Sequence, residues 1–261
     1  HLARHALFEA IQEHLRASDA GVWGWPAWPE AWRDPDGAEV RRFAAASEDR
    51  IGLHAWLQWQ ADHHLAAAQA RARAAGMPLG LYRDLAVGAN EGGSDVWSAQ
   101  AAHALGLHVG APPDPLALNG QDWGLPPPDP ARMADDGYAG FVRLLRANMR
   151  HAGALRIDHV MALMRLFWVH PEGGTYVRYP LADLMAILAL ESRRQQCLVI
   201  GEDLVDVAPE MRESMQAHGL LSYCPLYFER DAAGDFRAPD QWRAQALAVV
   251  GTHDLPTLAG W

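Results

Sequence analysis

Three short apolar runs in the chain end on acids. Leu155-Arg-Ile157 leads into Asp158-His159, Leu198-Val-Ile-Gly201 into Glu202-Asp203, and Val249-Val-Gly-Thr252 into His253-Asp254. A short apolar run is the mark of a buried strand, so each run puts a carboxylate just past a strand's carboxyl end. Asp158, Glu202 and Asp254 lie 44 and 52 residues apart. In an α/β barrel such strand ends share one rim, where the active sites of that fold are built. Any one of these acids also suits a helix N-cap or a turn. Three on one rim cost charge repulsion that capping alone does not offset, whereas acid–base or nucleophilic chemistry does. On a neutral polyhydroxyl substrate, one ionised acid attacks an anomeric carbon while a second, its pKa raised, protonates the leaving oxygen. The remaining acid binds hydroxyls and stabilises the oxocarbenium-like state.

The elements that must carry these acids alternate. A helix over roughly 3–16 places Leu7, Phe8, Ile11 and Leu15 on one face, and a loop with Trp23, Trp25, Trp28 and Trp32 follows. That cluster reads as a packed loop covering a helix pair, with a secondary glucan platform as the alternative. A second helix is expected over about 38–75, and the run 78–88, bounded by Pro78 and Gly88, fits a buried parallel strand. Seven prolines between 111 and 130 predict an extended surface loop without central strand or helix. Beyond it come a helix near 138–151, a strand at 154–160, a helix over 181–195 and a strand at 197–203. A helix near 210–218 and strands at 221–228 and 246–251 complete the pattern. Glu172-Gly-Gly174 suits a hairpin turn or lid, and Met161 and Met164 suit a core. Strand and helix in alternation force a parallel sheet with helices outside it.

With 261 residues and half of them hydrophobic, the chain can bury a sizeable core. It carries no lysine, so all 22 basic residues are arginine, and Schiff-base, P-loop and kinase-type lysine chemistry is excluded. A formal charge of −10 without a basic block argues against nucleic acid or an anionic membrane as partner. Cys197 and Cys224 have neither metal-site nor redox-motif spacing, and two cysteines in a chain this size point to a reducing compartment. The apolar run near 184–190 is far shorter than the roughly 20 residues that span a bilayer, so no membrane span is expected. His63-His64 is adjacent rather than spaced one helical turn apart, which disfavours a metal site. His1 in place of Met and an apolar end at Trp261 read as cuts through a longer chain.

Leu155-Arg-Ile-Asp-His-Val160, Gly201-Glu-Asp-Leu204 and Gly251-Thr-His-Asp-Leu-Pro-Thr257 resemble, in this order, the signature regions of the 4-α-glucanotransferases, or amylomaltases, of glycoside hydrolase family 77. Gly80-Leu-Tyr-Arg-Asp-Leu-Ala-Val-Gly88, Gly120-Gln-Asp-Trp-Gly-Leu-Pro-Pro127 and Tyr176-Val-Arg-Tyr-Pro180 resemble them too, particularly the longer enterobacterial type. Glu91-Gly-Gly-Ser-Asp-Val-Trp97 departs, with Gly92 where many shorter members carry an acid. The resemblance implies a (β/α)8 TIM barrel of the α-amylase superfamily, incomplete at both ends. It implies a helical, Trp-rich insertion over 1–77 and the central barrel over 78–261, with the Pro-rich loop at 111–130. Asp158 is implied as nucleophile, Glu202 as general acid/base and Asp254 as transition-state stabiliser. Arg156 would face the nucleophile with an opposite charge. His159 and His253 would donate to sugar hydroxyls, and Trp123 would contact a sugar face. The implied activity is retaining transfer between maltooligosaccharides, with glucose as an acceptor, in the cytoplasm and with neither cofactor nor metal. An α-amylase-type hydrolase and an inactive glucan-binding fragment are the alternatives.

Overall fold

A computed structural model describes residues 1–113, 117–204, 207–253 and 255–260. The chain opens with helices α1 (Leu2–Ser18), α2 (Glu30–Arg33), α3 (Ala38–Ala46) and α4 (Glu48–Ala74). Strand β1 (Tyr82–Leu85), helix α5 (Ser94–Ser98), and strands β2 (His108–Ala111) and β3 (Gln121–Leu125) come next. Then follow α6 (Pro130–Asp135), α7 (Ala139–Met149), β4 (Ala154–Ile157), β5 (Arg165–His170) and β6 (Gly173–Arg178). The remainder is α8 (Leu181–Gln195), β7 (Leu198–Gly201), α9 (Pro209–His218), β8 (Ser222–Pro225) and β9 (Ala246–Val249). Two compact units interleave along the chain. One comprises His1–Ala70, Gly88–Ala139 and Leu166–Val177, and the other Arg71–Val87, Gly140–Arg165 and Arg178–Trp261.

In the first unit, α1 turns Phe8 and Ile11 inward at helical spacing, onto a cluster of Trp25, Trp28, Val40, Val96 and Trp97. The Phe8 and Trp28 rings lie 4.9 Å apart, and Trp28 meets Trp97 edge-on at 5.7 Å, the arrangement that ring quadrupoles favour. Burying an indole N–H demands an acceptor. Gln12 Oε1 accepts from Trp28 Nε1 at 3.3 Å and from the Gly24 N–H at 2.7 Å, while Trp25 Nε1 donates to the Glu91 carbonyl at 2.6 Å. Trp25 and Trp28 are thus packing elements, and Trp23 keeps 59% of its surface exposed. The single helix expected over 38–75 is two, α3 and α4, broken at Ser47 (φ −126°, ψ 29°). Serine favours caps, and Glu48 and Asp49 suit the positive end of a new helix.

The same unit holds a four-stranded sheet in the order β3-β2-β5-β6. Here the expected loop at 111–130 needs correction. Its prolines are confined to 112–115 and 126–130, and the proline-free stretch between them contains β3, antiparallel to β2 at the sheet's edge. A proline-free stretch can pair along the edge of a sheet, and here it does so with a register shift between Val109 and Gly110. Strands β5 and β6 form a hairpin around Glu172, where the Gly-Gly pair suggested a turn.

The second unit is built on parallel strands. β4 pairs with β1 on one side and with β7 on the other, in the register Asp84↔Arg156↔Ile200 and Leu85↔Ile157↔Gly201. A parallel bridge, Ile200↔Leu221, joins β7 to the segment entering β8, and β8 pairs parallel with β9. Neighbours in space are therefore neighbours in chain order, with α7, α8 and α9 in the crossovers, which is the wall of a (β/α)8 barrel. All four residues of β4 are buried, whereas β1, expected to be buried, exposes Tyr82 and Asp84 because only β4 lies beside it in the three-stranded group. Gly153 lets the segment leading into β1 approach, since a Cβ there would stand 1.7 Å from the Leu79 carbonyl oxygen.

The buried tryptophans carry a stability test. Trp28→Ala should cost about 3–5 kcal/mol in urea unfolding, as for other buried aromatic truncations. Trp23→Ala should cost less than about 1 kcal/mol, as surface changes do. Equal losses for the two variants would contradict the packing described.

Candidate active site

The barrel wall determines where the acids emerge. Ile157 and Gly201 are paired at the ends of β4 and β7, so Asp158 and Glu202 leave adjacent parallel strands at the same level. Backbone bonds hold both exits: the Asp158 N–H donates to the Leu85 carbonyl at 3.0 Å and the Glu202 N–H to the Ile157 carbonyl at 2.9 Å. His159 then takes a left-handed conformation (φ 46°, ψ 63°), which costs energy for a residue with a Cβ. That turn points the His159 N–H at Glu202 Oε2, 3.0 Å away, and the other carboxylate oxygen accepts the Leu204 N–H at 2.9 Å. Glu202 is therefore clamped by two backbone donors, one of them belonging to the residue after Asp158.

Arg156 projects from β4, two residues before Asp158, and is 4% exposed. Its Nη1 donates to both Asp84 oxygens at 2.8 Å and stands 2.8 Å from Asp158 Oδ1. The guanidinium also lies over the Tyr223 ring at 5.4 Å, an attraction between a cation and a ring face. Burial works against its charge, but Asp84 and Asp158 outweigh burial and raise its pKa. Its Nε has no partner among the described residues. Tyr82, about half exposed, has its hydroxyl pushed up to about 12, chiefly by desolvation of its buried part.

Glu202 sits in a different environment. Burial raises its carboxyl above the ordinary 4.5, against the pull of its two backbone donors and Arg156. His159 is shifted the other way: burial lowers its pKa, outweighing Asp158, so its ring is neutral at pH 7. The two acids at adjacent strand ends thus meet different surroundings, Asp158 a guanidinium at 2.8 Å and Glu202 a desolvated position with two backbone donors.

Of the residues singled out from the sequence, Arg156, Asp158, His159 and Glu202 come together. His253 Nε2 lies 4.0 Å from Asp84 Oδ2. Asp254 falls outside the described residues. Trp123 stands in β3 of the first unit, its Nε1 donating to Gln121 Oε1 at 2.9 Å. Sequence reasoning missed three participants. Asp84 carried the same signal, an acid late in a short strand, but within a run read as a strand and as part of the family resemblance, with no role given to the acid. Asp203 was visible beside Glu202 and left without a role; its buried carboxylate accepts from the Tyr223 N–H at 3.0 Å and the Ser222 hydroxyl at 2.9 Å. Tyr223 had no local signal, since its importance comes from lying under Arg156. Among the described residues, no helix is long and apolar enough to cross a membrane.

Comparison with known proteins gives a consistent result. The family model of 4-alpha-glucanotransferase, glycoside hydrolase family 77, matches residues 1–261. The chain is 44% identical over 246 residues to 4-alpha-glucanotransferase of Mycobacterium tuberculosis, covering 91% of this chain and 34% of that protein. It is 41% identical over 254 residues to the Haemophilus influenzae protein of the same name, covering 95% and 36%. The crystal structure of amylomaltase from Corynebacterium glutamicum superposes with a TM-score of 0.85 at 36% identity, covering 99% of this chain and 35% of that one. Amylomaltase from Streptococcus agalactiae in complex with acarbose gives 0.84 at 18% identity over 97% and 52%, a likeness of fold. The fold is thus part of a TIM barrel of the α-amylase superfamily, and the chain spans about a third of the length of these curated relatives.

The Glu202 environment has a consequence for stability. A carboxyl raised in the folded state contributes stability below 4.5, its ordinary value, and loses it as pH rises through the folded value. Glu202→Gln, fixed in the neutral form, should therefore gain thermal stability relative to the parent as pH increases from 4.5 towards neutrality, on top of any constant offset from its altered donors. A difference in Tm that stays flat with pH would show that the carboxyl is not raised.

Proposed function

We propose that this chain, which belongs to the 4-alpha-glucanotransferase family of glycoside hydrolase family 77, carries the catalytic acids of a retaining α-1,4-glucan transferase. The observation that carries the reading is the pairing of Asp158, in contact with Arg156, with a desolvated Glu202 on the neighbouring strand. In the first half-reaction Asp158 attacks the anomeric carbon of a donor maltooligosaccharide. Glu202 gives its proton to the departing glycosidic oxygen, leaving a glycosyl ester on Asp158. In the second, Glu202 takes the proton from the 4-hydroxyl of an acceptor glucan or glucose, and that oxygen displaces Asp158 with overall retention.

The remaining residues serve the same two steps. Arg156 holds the Asp158 carboxylate towards the substrate and balances its charge until the ester forms. Asp254 stabilises the oxocarbenium-like state, and His159 and His253 hydrogen-bond sugar hydroxyls. The neutral ring of His159 supports that role, since it can donate through one nitrogen and accept through the other. Trp123 offers an aromatic plane to the apolar face of a pyranose. The acting protein is cytoplasmic, and its partners are maltooligosaccharides rather than nucleic acid or membrane. No step of the chemistry needs a cofactor or metal.

Product analysis with maltotriose tests the activity: glucose together with oligosaccharides longer than the substrate is expected, whereas hydrolysis products alone would make the protein an amylase-type hydrolase. Asp158→Asn should abolish covalent trapping by an activated fluoro-sugar, and a labelled variant would remove Asp158 from its role. Glu202→Gln should slow transfer by about 10²–10⁴-fold, the usual worth of a general acid/base. Activity of the parent should fall as pH rises through the elevated Glu202 value, because the first step needs its proton.

A further inference from the structure

Asp203, immediately after Glu202, has a fully buried side chain, and Arg243 is the cation closest to it. Arg243 Nη1 donates to Asp203 Oδ2 at 2.5 Å and to Ser222 Oγ at 3.0 Å, while Arg212 Nε stays 3.6 Å away. A buried carboxylate is tolerated only when paired and hydrogen-bonded, and Arg243 gives Asp203 its shortest contact with a cation. Asp203 Oδ1 in turn holds the Tyr223 N–H, and the Tyr223 ring is the surface on which Arg156 rests beside Asp158. The chain of contacts runs from Arg243 through Asp203 along two routes. One is the peptide bond to Glu202, and the other passes by Tyr223 and Arg156 to Asp158.

We propose that Arg243 is a positioning residue for both reacting carboxylates, acting through Asp203 and Tyr223 without touching substrate. This rests on the roles given above to Asp158 and Glu202. Arg243 enters from the segment before β9, and its side chain is 40% exposed, so it contributes charge and geometry rather than core volume. The groups facing it are Asp203, Ser222 and Cys224, and Glu229 faces Cys224 in turn. Of these, Asp203 adjoins the site along the chain. A small displacement of either carboxylate matters, since a misplacement of about 1 Å can cost on the order of 100-fold in rate.

The test compares the full-length protein with Arg243→Met, Arg243→Gln and Arg243→Lys, measuring maltotriose turnover together with the rate and final stoichiometry of Asp158 trapping by an activated fluoro-sugar. Positioning predicts that Met and Gln label to full stoichiometry but about tenfold more slowly, with kcat reduced similarly and KM within about twofold. Lysine, which restores the charge, should recover most of the rate. If Met and Gln label as fast as the parent, the proposal is wrong. It is equally wrong if the molecules that label do so at the parental rate while the labelled fraction falls, because that pattern belongs to misfolding. Gln retains a polar group facing Asp203 and decides the matter if Met does not fold. A parent that labels away from Asp158 would instead refute the nucleophile assignment, an outcome readable before any Arg243 variant is made.

Discussion

One buried guanidinium organises this site. Arg156 lies on the central strand of the barrel wall, where four consecutive residues are buried, and an isolated charge there would be untenable. It is tolerable because Asp84, from the strand on one side, and Asp158, two residues ahead and just past the end of its own strand, both face it. Removing one partner of such a buried pair typically costs about 3–5 kcal/mol, a figure reduced here because both carboxylates also meet solvent. The pairing thus does two jobs with one side chain: it reinforces the β1–β4 register and orients Asp158. Only arginine offers a planar, permanently charged fork with several donors, and a chain that uses arginine for every cation repeats the device elsewhere. Arg146 grips Glu191 at 2.8 Å through two nitrogens, which lowers the pKa of that buried acid.

The contrast between the two acids follows from which atoms complete each coordination sphere. Asp158 meets a cation, whereas Glu202 meets backbone N–H groups in a desolvated setting where burial prevails. The left-handed turn at His159 is the structural cost of that arrangement. It aims one amide at Glu202 and carries the chain into the 3-10 turn Val160–Leu163. Strain at such a position persists only where surrounding contacts over-determine it, and here strand pairing before the turn and buried Val160 and Met161 after it supply those contacts.

Much of the wall was legible from local pattern. Helix α8 matches the expected 181–195, and β4 and β7 fall inside the apolar runs that predicted them, because burial on both faces leaves a run of apolar residues. The reading failed where a longer-range partner or a finer spacing decided the outcome. Prolines mark the ends of β3 rather than forbidding it, and strand formation there depends on β2 being available. Ser47 ends one helix in a stretch whose composition favours helix throughout. The hairpin of β5 and β6 showed only its turn, since its strands do not share a single apolar face.

By itself, the sequence determined the chemical inventory: acids at strand ends, arginine as the only fixed cation, two thiols without a partner motif, and signature runs that assign the family. Those features are written in nearest neighbours and short periods, which a linear chain displays directly. Tertiary structure alone decided that Asp84 shares Arg156 with Asp158, that Tyr223 lies beneath it, and that Glu202 is the acid pushed towards its neutral form. Hydrogen-bond partners and desolvation depend on which distant segments pack together, and residues 72 positions apart, such as Asp84 and Arg156, meet only after the strands have paired.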